Sequence, residues 1–478
     1  MSKRTLSRRD FLRMTALIST GAVVAACQPQ AAKVTTEIKE TPEVETKITE
    51  PPKAEEVTIS FMGWGGPEES QAVLDVIARF ESKNPSIKVT WLHTPQDYMT
   101  KLFAMIASGT QPDTLFTPQD YYKTFCKQGL MLDIQDYLDV DTEMNPKTYF
   151  LQPQEDGRSA YKGRWHGIGV CWVGMNIFYN ADMFQEAGIE PPSNDPEKAW
   201  SWDHFVEVAR QFTKDSKGRH PKDSGFDKND IVQWGIDYNH AGWANDALVL
   251  LNGVEMVDTA TNKFKIDDPA AIEAMQNVAD LMFKHWVAPL ASNFKDLGMS
   301  SAQMLENRKL PMFIDYSPNL SWIHKLNCNL GTACPPKMKQ TASVIVADVR
   351  GAMKATKHPD AAYKFVRMTA DPVYQSTFLK IGLWWPNQTS LLTPEGLKSW
   401  ISERKSPTEG IHPAGYIDLI TKFLPNYTKT WLCPPGFGEA ELLINSSLES
   451  LWNGTATAQQ AVESCISKAN AILQKESD

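Results

Sequence analysis

Fifteen tryptophans stand in this chain of 478 residues. Several lie beside glycines, acids or amides in stretches of loop composition. A flat indole face stacks on apolar C–H surface, and a neighbouring carboxylate, amide or guanidinium takes up hydroxyl groups. That combination occurs at Trp64 in "FMGWGGPEES", with Glu68 and Glu69 after it. It recurs at Asp120 after "TLFT", at Trp172 in "GVCWVGMN", and at Trp243 and Asn245, with Asp246, in "NHAGWANDAL". Trp322 follows "FIDYSPNLS", where Asp315 and Tyr316 are alternatives in the same loop. Arg350 stands in "DVRGAM", and Trp384 and Trp385 in "GLWWPN". Each has a competing role in core packing, helix capping, hinge packing or a surface ion pair. Two adjacent aromatics in extended chain point opposite ways, so one of Trp384 and Trp385 can face a cleft and the other the core. Which one is open at this level.

Other chemistries find less support. There is no Gly-x-Ser-x-Gly elbow, His-Glu-x-x-His pair, phosphate loop or dinucleotide fingerprint. No cofactor and no metal is expected, since no Cys-x-x-Cys or His/Cys cluster is present. Nothing requires an enzyme, although a glycosidase's two carboxylates across a cleft would leave no sequence motif. The paired phenols Tyr121 and Tyr122 would hold iron only with further anionic or His partners, and none is marked. The net charge of −9 becomes −13 once a leader of net +4 is removed. Nucleic acid needs a basic face, so it is disfavoured as a partner. Beyond Cys27 there are six cysteines: Cys126, Cys171, Cys328, Cys334, Cys433 and Cys465. Free thiols are favoured over bridges, and Cys328 and Cys334 are the pair to check.

The first 26 residues read as an address. Arg8-Arg9 precede Phe11-Leu12, and a short apolar stretch ends at Ala25-Ala26-Cys27. The stretch is too short for a membrane span. "SRRDFL" resembles a twin-arginine export signal. "VVAAC" is similar to a lipobox, which implies lipidation of Cys27. Residues 27–56 have almost no large apolar side chain and read as a disordered tether. The expectation is an exported lipoprotein on the outer face of the cytoplasmic membrane.

About 420 residues then remain, enough for two lobes. Val57, Ile59 and Phe61 alternate as in a strand. Pro67 suits a first helical position, and Val73, Leu74, Ile77 and Ala78 are expected on one helical face. "IKVTWL" reads as a second strand, residues 99–108 as a helix and "PDTLFT" as a third strand. This is the pattern of an open α/β sheet, whose ligands sit beyond the carboxyl ends of the strands. Trp64 and Asp120 both lie just past such an end. Helices are expected at 199–213 with Ser201 as cap, at 270–286, at 358–370, and as a pair within 440–473 broken at Asn453-Gly454.

The segments "FMGWGGPEESQAVLDVIARFESKNPSIKV", "SGTQPDTL", "YKGRWHGIGV", "NIFYNADMFQEAGIEPP" with "AWSWDHF", "LLNGVEMVD", "ATKHPDAAYKFV" and "LWNGTATAQQAV", in this order, resemble the solute-binding proteins of sugar-importing ABC transporters, the group that includes maltose-binding proteins. The resemblance implies a two-lobed α/β fold of periplasmic-binding-protein type, with a hinge and an interlobe cleft. One lobe would hold 57–168 and 335–378, the other 169–334 and 379–474. It implies a monomer that captures a sugar or oligosaccharide and delivers it to a membrane permease. The ligand contacts carried over are Trp64, Glu69, Asp120, Trp172, Trp243, Asn245, Trp322, Arg350, Trp384 and Trp385. A charged solute such as a sugar acid, glycerol phosphate or polyamine is the alternative ligand, and Arg350 keeps the anionic ones open.

Overall fold

The computed structural model describes residues 56–476. The expected export signal, the expected lipidation site Cys27 and all of the expected tether but its last residue lie outside the described residues.

Alternation builds β1 (Val57–Gly63), and Pro67 opens α1 (Pro67–Lys83) with Glu68 and Glu69 in its first turn. There they favour the positive end of the helix dipole. The buried face of α1 is Ala72, Val73, Val76, Ile77 and Phe80, while Leu74 and Ala78 face solvent. The expected face is therefore turned by about one residue, because Phe80 extends the stripe and fixes its centre. β2 (Ile87–His93), α2 (Tyr98–Ser108), β3 (Thr114–Thr117) and α3 (Gln119–Lys127) complete the first pass. Next come α4 (Gln154–Ser159), β4 (Gly167–Gly169), β5 (Met175–Asn180) and α5 (Ala181–Ala187). α6 (Trp202–Phe212) is capped by the Ser201 side chain, which accepts from the His204 N–H as its position predicts. β6 (Asp237–Tyr238), α7 (Ala244–Leu251) and α8 (Pro269–Phe283) follow, then β7 (Met312–Tyr316), β8 (Leu330–Ala333), β9 (Ser343–Ile345) and β10 (Val349–Ala352). The chain ends with α9 (Pro359–Met368), α10 (Pro372–Leu379), β11 (Thr428–Thr430), α11 (Phe437–Trp452), α12 (Ala458–Glu463) and α13 (Ile466–Lys475). The expected closing helix pair is thus three helices. The second break falls at Ser464-Cys465, where the chain restarts on the buried Cys465.

Two sheets organise these elements. One has strand order β2-β1-β3-β10-β4, the other β6-β7-β5-β8. The architecture is α/β with two sheet-centred halves, as expected. The chain passes from the first sheet to the second after β4, returns after β8, and leaves the first again after α10. These linking segments pair with one another: Trp172 with Trp385, Val173 with Val346, and β9 in parallel with β11. The six cysteines among the described residues are free thiols, Cys328 half-buried and the others buried. No described helix is long and apolar enough to cross a membrane.

Candidate functional site

Two groups of residues gather past the strand ends. The first lies under the β1–α1 loop. Gly65 has a φ of +114°, and a Cβ there would stand 2.4 Å from Glu69 Oε2, so glycine lets the loop close over that carboxylate. Trp64 is half-buried, edge-on to Tyr98 (4.8 Å between ring centroids) and Phe116 (5.2 Å). Arg350 comes from β10, directly across from Phe116 of β3. Its guanidinium carbon lies 3.2 Å from the Phe116 ring centroid and its Nε donates to Tyr374 Oη at 3.2 Å. It pairs with Asp348, and its Nη2 has no hydrogen-bond partner among the described residues. Burial pushes the Glu69 carboxyl up to about 7, against the opposing pull of the Arg350 charge.

The second group gathers where α3 meets α11. A Cβ on Gly438 would stand 2.7 Å from the Tyr121 ring, so the close approach of these helices depends on that glycine. Asp120 sits in the first turn of α3, and burial raises its carboxyl to about 6. Asp246 on α7 is enclosed, and burial raises it to about 7. Burial first, then Asp246 and Asp120, hold Glu441 of α11 well above the ordinary carboxylate range. Asn245 Nδ2 donates to Asn445 Oδ1 at 3.2 Å, one turn beyond Glu441. Trp243 stacks on Tyr316 with centroids 4.3 Å apart and planes 29° from parallel, both half-buried. Asp315 accepts from Asn239 Nδ2 (2.6 Å) and Asn319 Nδ2 (2.8 Å). Burial raises its carboxyl as well. The arrangement is an aromatic face bordered by acceptors, suited to a ring with many hydroxyl donors.

The expected contacts divide. Asp120, Trp243 and Asn245 come together in the second group, with Asp315, Tyr316 and Asp246. Trp64, Glu69 and Arg350 form the first. The surface ion pair considered for Arg350 is corrected, because its side chain is wholly buried in the middle of a sheet. Trp172 is also enclosed, and the Arg158 guanidinium carbon lies 3.7 Å from its ring centroid. Trp384 and Trp385 diverge as extended neighbours should, yet neither opens to a cleft. Trp384 stacks on Phe378 at 4.0 Å, and Trp385 packs where a Cβ on Gly174 would lie 2.5 Å away. Trp322 is 43 % exposed on a short helix, and no described contact brings it to either group. Glu441, Asn445 and Asn239 were missed. The available signal was Glu441, a lone acid on the buried face of α11 with Ala440, Ile444 and Leu448. A hollow of about 640 Å³ lined by Gln135, Asp141 and Trp165 touches neither group, and its Asp141 is neutralised by Arg367 at 2.5 Å.

The raised carboxyls set a pH dependence. In the unfolded chain they titrate near ordinary values of about 4. The folded state therefore holds more protons between that pH and about 7, and its stability falls as pH rises through this window. Melting of the ligand-free protein is expected at lower temperature at pH 7.5 than at pH 5. Glu69→Gln is expected to flatten the slope, and an unchanged slope would remove Glu69 from this account.

Comparison with known proteins follows the same lines. The family described as bacterial extracellular solute-binding protein matches residues 65–376. The putative ABC transporter periplasmic-binding protein YcjN of Escherichia coli is 31% identical over 159 residues, 33% of this chain and 35% of that protein. A putative binding protein of Brucella abortus is 22% identical over 84% of this chain and 89% of its own length. Among solved structures, the ABC substrate-binding protein Lmo0181 from Listeria monocytogenes, in complex with cycloalternan, is similar with a TM-score of 0.73. It is 20% identical and covers 88% of this chain and 100% of its own. The GacH receptor of Streptomyces glaucescens, described unliganded and with acarbose, has a TM-score of 0.70 at 15% identity, covering 88% and 99%. At these identities the structures show a shared fold, that of two-lobed binding proteins. The family match runs from the β1–α1 loop into α10 and takes in strands of both sheets, and this chain belongs to the bacterial extracellular solute-binding proteins.

Proposed function

We propose that this protein is the substrate-capturing component of an ABC importer and that its solute is a carbohydrate, held between the two sheet-centred halves and passed to a membrane permease. The observation that carries the reading is the stacked Trp243–Tyr316 pair beside Asp120, Asn245 and Glu441, a platform for a sugar face next to acceptors for its hydroxyls. Trp64 and Glu69 provide the opposing wall from the β1–α1 loop. The halves correspond to 57–168 with 335–378 and 169–334 with 379–474. A lipid on Cys27 anchors the exported monomer beside its permease, and the bound sugar is released chemically intact. The similar solved structures described in complex with cycloalternan, acarbose and alpha-D-tagatose support a saccharide ligand.

A thermal-shift screen of the purified protein tests this. The panel holds mono- and oligosaccharides, sugar acids, glycerol phosphate and polyamines. A ligand at 100 times its dissociation constant adds about 2.7 kcal/mol of stability. A rise in melting temperature with one saccharide group, recovered unhydrolysed, is expected. A rise only with a non-saccharide solute would refute the carbohydrate reading.

A further inference from the structure

The second group holds more acceptors than a neutral sugar needs. Asp120, Asp246 and Glu441 project from three different helices, α3, α7 and α11, into one region. Asp246 is 1 % exposed, and neither of its carboxylate oxygens has a hydrogen-bond partner. Asn245 is equally buried, and its Oδ1 is likewise unpartnered. The indole N–H of Trp431 points at Asp246 and lowers its carboxyl, but stays outside hydrogen-bond geometry. The nearby cation on α3, Lys123, is turned away and donates to the Gly157 carbonyl at 2.9 Å. Three carboxyls gathered without a cation, Asp120 half-buried and the other two buried, disfavour one another's charged forms, and the unpartnered acceptors of Asp246 and Asn245 cost free energy until a donor arrives.

We infer that the carbohydrate taken by this site carries a cationic nitrogen, and that Asp120, Asp246, Glu441 and Asn245 form the pocket for its ammonium group. This rests on the carbohydrate reading above and narrows it to an unacetylated amino sugar. A hydroxyl brings one donor and no charge, whereas an ammonium brings three donors and the charge that the carboxyls lack. Tyr121 and Tyr316, both within electrostatic reach of Glu441, add ring faces of the kind that attract cations. The groups facing Glu441 are Asp246 on α7, Asp120 and Tyr121 on α3, Tyr316 at the end of β7, Cys433 before α11, and Asn445 on α11 itself. All are acidic or neutral. Burial favours the protonated forms of Asp246 and Glu441 in the empty site, so an arriving ammonium is expected to displace protons from them.

Titration calorimetry of the full protein with glucosamine and deacetylated chitotriose tests the inference. N-acetylglucosamine, chitotriose, maltotriose and spermidine serve as comparisons. Measured at pH 7.5 in two buffers of different ionisation heat, the amino sugars are expected to bind at least tenfold tighter than their acetylated forms and to release protons. Glu441→Gln is expected to abolish that preference, and Asp246→Asn serves if the first variant melts early. Equal or tighter binding of acetylated or neutral sugars would overturn the inference and leave the carbohydrate reading standing. Binding of spermidine with every saccharide silent would overturn both, as would silence of the whole panel.

Discussion

Replacing Arg158 with methionine is expected to cost the folded protein about 3–5 kcal/mol. Arg158 and Glu155 are fully buried, with Nη2 and Oε2 2.5 Å apart. Around them the acceptors and donors are matched. Arg158 Nη1 donates to the Cys171 carbonyl (2.6 Å), and Glu155 accepts from Ser159 Oγ (2.6 Å) and Asn387 Nδ2 (3.0 Å). Asn387 Nδ2 also donates to the Gly169 carbonyl at 2.8 Å. The pair therefore ties α4 to both the 169–172 and the 385–388 segments, two of the three stretches of chain that link the sheets. Removing one partner strands a buried charge, which is why the loss exceeds that of a surface ion pair. Removing both should restore much of it, so Glu155→Leu combined with Arg158→Met is expected to be more stable than Arg158→Met alone. Urea denaturation measures both. A loss below about 1 kcal/mol for the single variant would mean that the network does not hold the linking segments.

Trp243→Ala is expected to weaken saccharide binding tenfold or more, about 1.4 kcal/mol or above, while moving the melting temperature little. The indole is half-buried at the start of α7, stacked on Tyr316 and packed at the edge of the core, so its remaining open surface is the part that a ligand would lose. Two other tryptophans give the contrast. Trp384 is stacked in the core on Phe378, so Trp384→Ala should lower stability by about 3–5 kcal/mol. Trp322 is exposed and touches neither group, and Trp322→Ala should change neither property. Calorimetric affinity and thermal melting of the three variants separate these roles. An unchanged affinity in Trp243→Ala would take the platform away from this aromatic pair.

The tryptophans also show where sequence reading stops. The alternating strands, Pro67 at the start of α1 and Ser201 as a cap are local signals, and the fold obeys them. Glycine, proline and asparagine around Trp384 and Trp385 suggested that one of them faces a cleft, while Trp172 suited hinge packing as well as a platform. All three tryptophans lie in the segments that run between the sheets, which pair with one another and enclose them. Composition registers irregular backbone without registering what lies on top of it. Arg350 illustrates the same limit, since a charged residue in a central strand is buried by neighbours that arrive from Phe116, Tyr374 and Asp348. Glu441 and Asn445 escaped notice because helix α11 is close to half polar, and these two stand among its other acids and its serines. Only the approach of α3 across Gly438 brings Asp120 to that face.

The central claim is that a saccharide binds at the Trp243–Tyr316 face between the two halves. Its most direct test is titration calorimetry of the wild-type protein and Trp243→Ala with the saccharide that raises the melting temperature most. The account predicts one site per chain in the wild type, with a negative heat-capacity change from burial of the ring face and at least a tenfold loss in the variant. Undiminished affinity in Trp243→Ala, or no saccharide heat in the wild type, would contradict it.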